Sequence, residues 1–296
     1  MVQKIRRGYS QGRRRSAGGR CLMNAYLSMT KSVGLKNNDL LEEVIKKGQL
    51  RQDFNKEVVN VYTACRDELE WKQWYHHRYY QRFKLSVREN SRHSESGSDW
   101  KEGVFTQECA SSVITGQGQS SVLETHLTVH PVYGFPYFPG TMIKGAAAHY
   151  CHRVLGAQEE RFRENGDYYT MLFGSKEQAS VIQYEDAWPD PECAETGLCH
   201  DVLTPHHRNY QSLKTGGEKH SDAALADFAP RDDDSPDPVH FLAVKGRFTF
   251  KLTIDPEVRE AEKWLPVAEK IVKAMLNREG LGGKSSSGYG LFEEVK

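Results

Sequence analysis

Near the end of the chain, Gly280, Leu281, Gly282, Gly283, Lys284, Ser285, Ser286, Ser287, Gly288, Tyr289 and Gly290 follow one another. A run this rich in glycine gives up side-chain packing and keeps backbone free to come close to something. It offers N–H groups, three hydroxyls and one ammonium, ligands suited to a polyanion passing over the surface. A nucleotide-triphosphate loop is excluded: Gly283-Lys284-Ser285 matches the second half of that motif, but Arg278 stands where its first glycine belongs. No helix can follow either, because Leu291 to Lys296 is a short apolar-then-charged tail that reads as a final strand. The loop by itself leaves two readings open, an anion-binding cradle or a helix C-cap at Gly280 followed by a turn.

A second stretch has related chemistry. Pro139-Gly140 is a turn signal, Thr141 can cap a helix, and Lys144 falls in its first turns. A helix start of this kind presents N–H groups, a hydroxyl and an ammonium, which suits phosphate. His126, His130, His149, His206 and His207 are candidates for general acid–base work on a 2′-hydroxyl. Their spacing demands no catalysis, and His149 and His152 share a helix face where packing or capping is expected. Cys193, Cys199 and His200 lack a second ligand pair at metal spacing, so no metal or cofactor is expected. The six cysteines form no CxxC pair and read as free thiols. Between Trp71 and Arg82, aromatics interleave with histidine and arginine; such a pattern can stack bases, but packing within the domain is the favoured reading.

The elements that must position these residues fall into three zones. Residues 1–20 hold Lys4, Arg6, Arg7, Arg13, Arg14, Arg15 and Arg20 with no acid, and read as a disordered basic arm. Lys+Arg and Asp+Glu both number 40, so charge overall excludes nothing, although Asp232, Asp233, Asp234 and Asp237 make one locally acidic stretch. Residues 21–102 read as a helical N-terminal extension. Leu40, Leu41, Val44 and Ile45 share one face, and a longer pattern over 50–83 carries Phe54, Val58, Val61, Tyr62, Cys65 and Leu69; a polar linker at 89–99 follows. Residues 103–296 change texture. A strand at Val104-Phe105-Thr106 is followed by further extended pieces up to Val132 and by a helix from Thr141 through Ile143, Ala147 and Tyr150. A strand over 179–188 stops at Pro189, and a polar insertion covers about 189–238. A strand pair follows, 239–244 and 247–254, turned or bulged at Lys245-Gly246, whose second member alternates Phe248, Phe250, Leu252 and Ile254 with a wet face of Arg247, Thr249, Lys251 and Thr253. Pro256 opens a last helix, with Pro266 splitting off its first turn, and the glycine loop and final strand end the domain. Without its loops this is β-α-β-β-α-β, an α+β ferredoxin-like pattern. No secretory h-region and no bilayer-length apolar run are present, so a cytoplasmic protein without membrane contact is expected.

The two motifs together, Phe135-Pro136-Tyr137-Phe138-Pro139-Gly140-Thr141-Met142-Ile143-Lys144-Gly145 and the glycine-rich loop before the last strand, resemble the RAMP superfamily of CRISPR proteins. Leu123-Glu124-Thr125, His130 to Gly134, Leu203 to His207 and the strand over 238–250 bring the resemblance closest to the sixth-subunit family of type III-B Cmr effector complexes. Thr141 stands where that superfamily has serine and Ser285 where threonine is common; both keep a hydroxyl. The resemblance implies a non-catalytic subunit that binds CRISPR RNA near its 3′ end, meets target RNA, and packs on other Cmr-complex RAMP subunits. It implies RNA contacts from Gly140, Thr141, Lys144, Gly145, Gly282, Gly283, Lys284, Ser285, Ser286, Ser287, Gly288, Tyr289 and Gly290. The competing expectation is a metal-independent endoribonuclease that processes CRISPR RNA, as some members of the superfamily do.

Overall fold

The computed structural model describes residues 100–116, 127–131, 134–191, 193, 197–204 and 238–295, together with 55–56, 58–60 and 62–63. The basic arm, most of the N-terminal extension, the linker at 89–99 and the insertion over 205–237 lie outside the described residues, as do His126, His206 and His207.

The first described strand, β1 (Lys101–Cys109), buries Gly103, Phe105 and Gln107 and exposes Glu102 and Val104 between them, the period-two pattern of a sheet with two different faces. Two antiparallel neighbours flank it. On one side runs β6 (Arg247–Ile254), with Phe105 opposite Phe250 and Gln107 opposite Phe248. On the other is the short β7 (Phe292–Glu294), with Phe292 opposite Cys109. The outer edge of β6 carries β2 (Ile182–Tyr184) and, farther along, β3 (Trp188–Pro189). The resulting order is β2-β6-β1-β7, with β3 on the same edge as β2.

Among the residues described from 100 onward, three α-helices accompany this sheet: α1 (Gly140–Tyr150), α2 (Asp167–Phe173) and α3 (Ala261–Arg278). Ile143, Ala147 and Tyr150 of α1 are buried at i, i+4 and i+7. Ala268, Ile271, Val272 and Met275 of α3 join them over Phe105, Phe248, Phe250, Leu252 and Phe292 in one core. Phe138, which enters just before α1, lies 4.4 Å from Phe248 and edge-on to Phe292 at 5.8 Å. Gly103 lies under the Glu269 carboxylate of α3, which would have to turn aside for a Cβ there.

Three expectations need correction. The polar side of β6 is not wet: Thr249 and Lys251 are 1% exposed and Thr253 0%. Polarity alternation marks a face, whereas burial depends on neighbours, and β6 is flanked on both edges. Thr249, Lys251 and Thr253 each have an internal polar neighbour. Lys251 Nζ lies 3.6 Å from Glu102 Oε1, Thr253 donates to Gln183 Oε1 at 3.5 Å, and the Thr106 and Thr249 hydroxyls are 3.4 Å apart. Burial pulls the Lys251 ammonium below its usual range, against the opposing pull of Glu102 and Glu185.

The second correction concerns the strand pair. β4 (Gly197–Leu203) and β5 (Val239–Lys245) form a separate two-stranded ribbon, so β5 and β6 follow each other but belong to different sheets. Only Gly246, at φ 104°, separates them; a tight hairpin needs at least two loop residues. The ribbon packs one face, with Phe241 and Ala243, on Ile114 and Tyr289. Its other face, with Leu198, Leu242 and Val244, joins the main core, as does Tyr62, whose ring sits where a Gly197 side chain would be.

Third, Pro266 does not split the last helix. α3 starts at Ala261 and runs through Pro266, whose missing N–H leaves a first-turn carbonyl without its helical donor. Among the described residues, no helix is long and apolar enough to cross a membrane.

Candidate nucleic-acid interface

The glycine loop is a folded structure with an exposed crest. Gly280, at φ 81°, ends α3 by donating its N–H to the Met275 carbonyl at 2.9 Å, so the C-cap reading holds for this residue. Leu281 is fully buried, and its N–H meets the Gly290 carbonyl at 2.8 Å, closing the loop at its base. The base is then tied to the segment after β1: Gly283 N–H donates to Ile114 O at 2.8 Å and Gly290 N–H to Ser112 O at 2.9 Å. A Cβ on Gly282 would collide with the Ile114 carbonyl, and one on Gly290 with that of Leu281. These glycines are thus required by the loop's own closure.

The crest is different. Lys284 adopts φ 57° and leads into a single 3-10 turn, Ser285–Ser287, closed by Gly288 at φ 90°. Residues 284–288 are all exposed. Ser287 is the first of them to donate back, to Lys284 O at 2.9 Å, as is usual for a turn of this kind, whose first N–H groups have no partner within it. Lys284 makes no ion pair among the described residues. A Cβ on Gly288 would meet nothing within 4 Å, so only its left-handed backbone calls for glycine.

The start of α1 departs from expectation. Thr141 is not the cap: the helix begins at Gly140, and no side chain within the motif caps it. The Pro139 carbonyl accepts from Met142 at 2.9 Å and Ile143 at 3.1 Å, while Gly140 N–H donates to Asp186 Oδ1 at 2.8 Å. Pro139 fixes the entry angle at φ −57°, and Gly140 is pressed against the Tyr184 carbonyl, where a side chain would not fit. The first donor is therefore taken by a carboxylate rather than left for phosphate. Thr141 and Gly145 are exposed, and Lys144 is half-buried, without an ion pair among the described residues.

No hydrogen bond or ion pair among the described residues joins the α1 start to the glycine loop. The loop's partners are the 111–114 segment and β4, through Tyr289, whose hydroxyl bonds Asp201 and whose ring meets Phe241 edge-on at 6.0 Å. Asp186, Asp201, Ser112 and Ile114, which hold the two motifs, carried no motif or spacing signal in the sequence.

The remaining candidates are dispersed. His130 packs against Tyr137 and Trp188, His149 is exposed on α1, and His152 Nδ1 accepts the Glu164 N–H at 3.0 Å in the turn that precedes α2. Burial and the neighbouring Asp186 act oppositely on His130, and burial prevails, lowering its pKa. Cys199 and His200 are adjacent on β4 and point to opposite faces. The Cys199 thiol lies 3.5 Å from Ser112 Oγ, whereas His200 Nε2 is 3.1 Å from His240 Nδ1. They cannot converge on one metal ion.

The chain is 26% identical over 176 residues to the CRISPR system CMR subunit Cmr6 of Saccharolobus solfataricus, a match covering 59% of this chain and 50% of that protein. Against the CRISPR system Cmr subunit Cmr6 of Pyrococcus furiosus it is 26% identical over 238 residues, covering 62% of this chain and 65% of the relative. The match thus takes in half the length of one curated relative and just under two thirds of the other. A chain in the cryo-EM structure of the Type III-B Cmr-beta bound to cognate target RNA has the same fold, with a TM-score of 0.53 at 22% identity over 90% of this chain and 75% of that one. The sequence profile of the RAMP superfamily matches residues 106–293, from within β1 into β7 and through both motifs. The chain belongs to the RAMP superfamily.

Proposed function

We propose that this protein is a non-catalytic RNA-binding subunit of a type III-B Cmr effector complex, acting in the cytoplasm. In this reading it holds CRISPR RNA near its 3′ end, lies close to target RNA and packs on other RAMP subunits. The observation that carries the reading is the crest of the glycine loop: an exposed ammonium with no ion pair among the described residues and three exposed hydroxyls, on a base pinned by four backbone hydrogen bonds. That is a polar surface pinned at its base, suited to holding a phosphate backbone. The strand order β2-β6-β1-β7, with α1 and α3 in one core above it, supports a ferredoxin-like domain in which β2 and β3 share the place of the second strand. The α1 start contributes through Lys144 and Thr141, and the basic arm of residues 1–20 adds affinity without sequence preference.

Binding of labelled repeat RNA to the purified full chain, with and without EDTA, tests this. Retention without cleavage is expected. Lys144→Ala and Lys284→Ala should each lower the single-strand salt slope by about 0.7, the loss of one phosphate contact. Cleavage products would return the protein to the endoribonuclease class, and unchanged affinity in both lysine variants would reduce the loop to a structural turn.

A further inference from the structure

Two histidines meet across the β4–β5 ribbon. His200 lies opposite Leu242 and His240 opposite Val202, so the two rings are diagonal neighbours on one face. His200 Nε2 and His240 Nδ1 are 3.1 Å apart, and the rings lie 17° from parallel with centroids 5.1 Å apart. Both residues are half-buried. At this separation one of the facing nitrogens donates and the other accepts.

The same face of the ribbon receives a segment from the N-terminal part of the chain. Residues 55–56, 58–60 and 62–63 are all helical, and Val58 and Tyr62 are buried in one core with Leu198, Leu242 and Val244. The Tyr62 ring fills the space beside Gly197, three residues before His200. Lys56, exposed and two residues before Val58, is close enough for its charge to act on His200. The histidine pair therefore stands beside the docked segment, with a cation of that segment near it.

Protons can be counted on this pair. In the neutral pair one facing nitrogen carries hydrogen and the other accepts it. A first added proton goes to the outer nitrogen of the donor ring, and the bond between the rings persists as a charge-assisted one. A second proton has only the accepting nitrogen left, which sets two N–H groups head to head on two cations. Lys56 adds a third positive charge. Asp201 opposes them from the other face of β4, where its carboxylate accepts the Tyr289 hydroxyl, and its influence is the smallest of those on His200. Burial first, then His240 and Lys56, hold His200 below its usual pKa. The sign follows: its cost to stability is absent above the unfolded value, about 6.5, and grows as pH falls from there toward the folded value.

We infer that His200 and His240 form an acid-opened latch: when both rings are protonated they part, and the helical segment around Val58 and Tyr62 is released from the ribbon. The latch is independent of RNA binding. Above pH ~6.5 it is closed, and the two rings act as one more contact between ribbon strands.

Hydrogen exchange of the full-length protein, read by mass spectrometry at about pH 8 and about pH 5 and corrected for the intrinsic pH dependence of exchange, tests this. In wild type the peptide spanning 55–63 should lose on the order of tenfold in protection at the lower pH. His240→Asn keeps an acceptor near the place of Nδ1 but removes the site of the second proton. It should match wild type at the higher pH and keep its protection in acid. His200→Gln replaces Nε2 in the same way from the other strand and should do the same. Full protection of wild type in acid, or an equal loss in wild type and both variants, overturns the latch. Ring-nitrogen NMR of wild type decides it without any substitution: the pair should titrate in two coupled steps, the second at lower pH, whereas two independent titrations near pH ~6.5 would overturn it.

Discussion

The Tyr289 hydroxyl donates a 3.1 Å hydrogen bond to Asp201 Oδ2, across 88 residues of chain. It fastens the glycine loop to β4, so the loop's crest is held by the ribbon as well as by the segment after β1. Burial, with the Asp201 carboxylate adding to it, raises the Tyr289 phenol above its usual pKa.

Tyr289→Phe should lower stability by about 1 kcal/mol and speed amide exchange at Leu281, Gly283 and Gly290. The raised phenol pKa sets the sign of the pH dependence. The bond's contribution is intact below pH ~10, the unfolded tyrosine value, and is lost as pH rises through the folded value. Stability of the wild type should therefore fall more steeply than that of Tyr289→Phe above that pH, and parallel curves would remove the bond from the account.

Gly282 and Gly288 both have positive φ, at 101° and 90°, yet substitution should separate them. Gly288→Ala meets open space and should cost only the left-handed backbone term, on the order of 1 kcal/mol. Gly282→Ala forces the Ile114 carbonyl away and breaks the Gly283 bond to it, so a loss of roughly 3 kcal/mol or more is expected in urea unfolding. Equal losses would mean that the base of the loop yields as readily as its crest.

Burial raises the Cys151 thiol to about 12, and its Sγ–H is directed at the Phe162 carbonyl, 3.5 Å away. The thiolate is the reactive species, so Cys151 should resist alkylation at pH 8 in the native protein and react only on unfolding. Peptide mapping by mass spectrometry after a short iodoacetamide pulse distinguishes it from the other cysteines.

Lys251, with a fully buried side chain, faces Glu102. Replacing a buried charge by an apolar group of similar length is often neutral, whereas removing one of its carboxylate neighbours leaves the charge less compensated. Lys251→Met should therefore stay within about 1 kcal/mol of wild type while Glu102→Ala loses more; the reverse order in thermal melts would show that the pair is a net stabiliser.

Much of the scaffold was legible in the sequence because it rests on periodicity. The 3.6-residue pattern through Ile143, Ala147 and Tyr150 gave α1, and Phe248, Phe250, Leu252 and Ile254 gave β6, since both patterns record one buried face. The burial of Thr249 and Lys251 was illegible because it depends on which strands flank β6, a fact of topology. The same holds for Asp186 and Asp201. Each meets its motif only after folding, across 46 and 88 residues of chain, and a lone aspartate looks the same wherever it stands. The glycines were readable as backbone constraints, but sequence could not say that Gly282 yields to Ile114 and Gly288 to nothing.

The β4–β5 ribbon has a root and a tip. Lys245 and Gly197 pair at the root, where Gly246 hands the chain on to β6, and Leu203 pairs with Val239 at the tip, from which residues 205–237 depart and return. The pairing of Leu203 with Val239 holds the two departure points side by side. The ribbon's tip is thus a graft point: new sequence can be added there, remote from the ribbon's junction with the main sheet, without altering the register of a single strand.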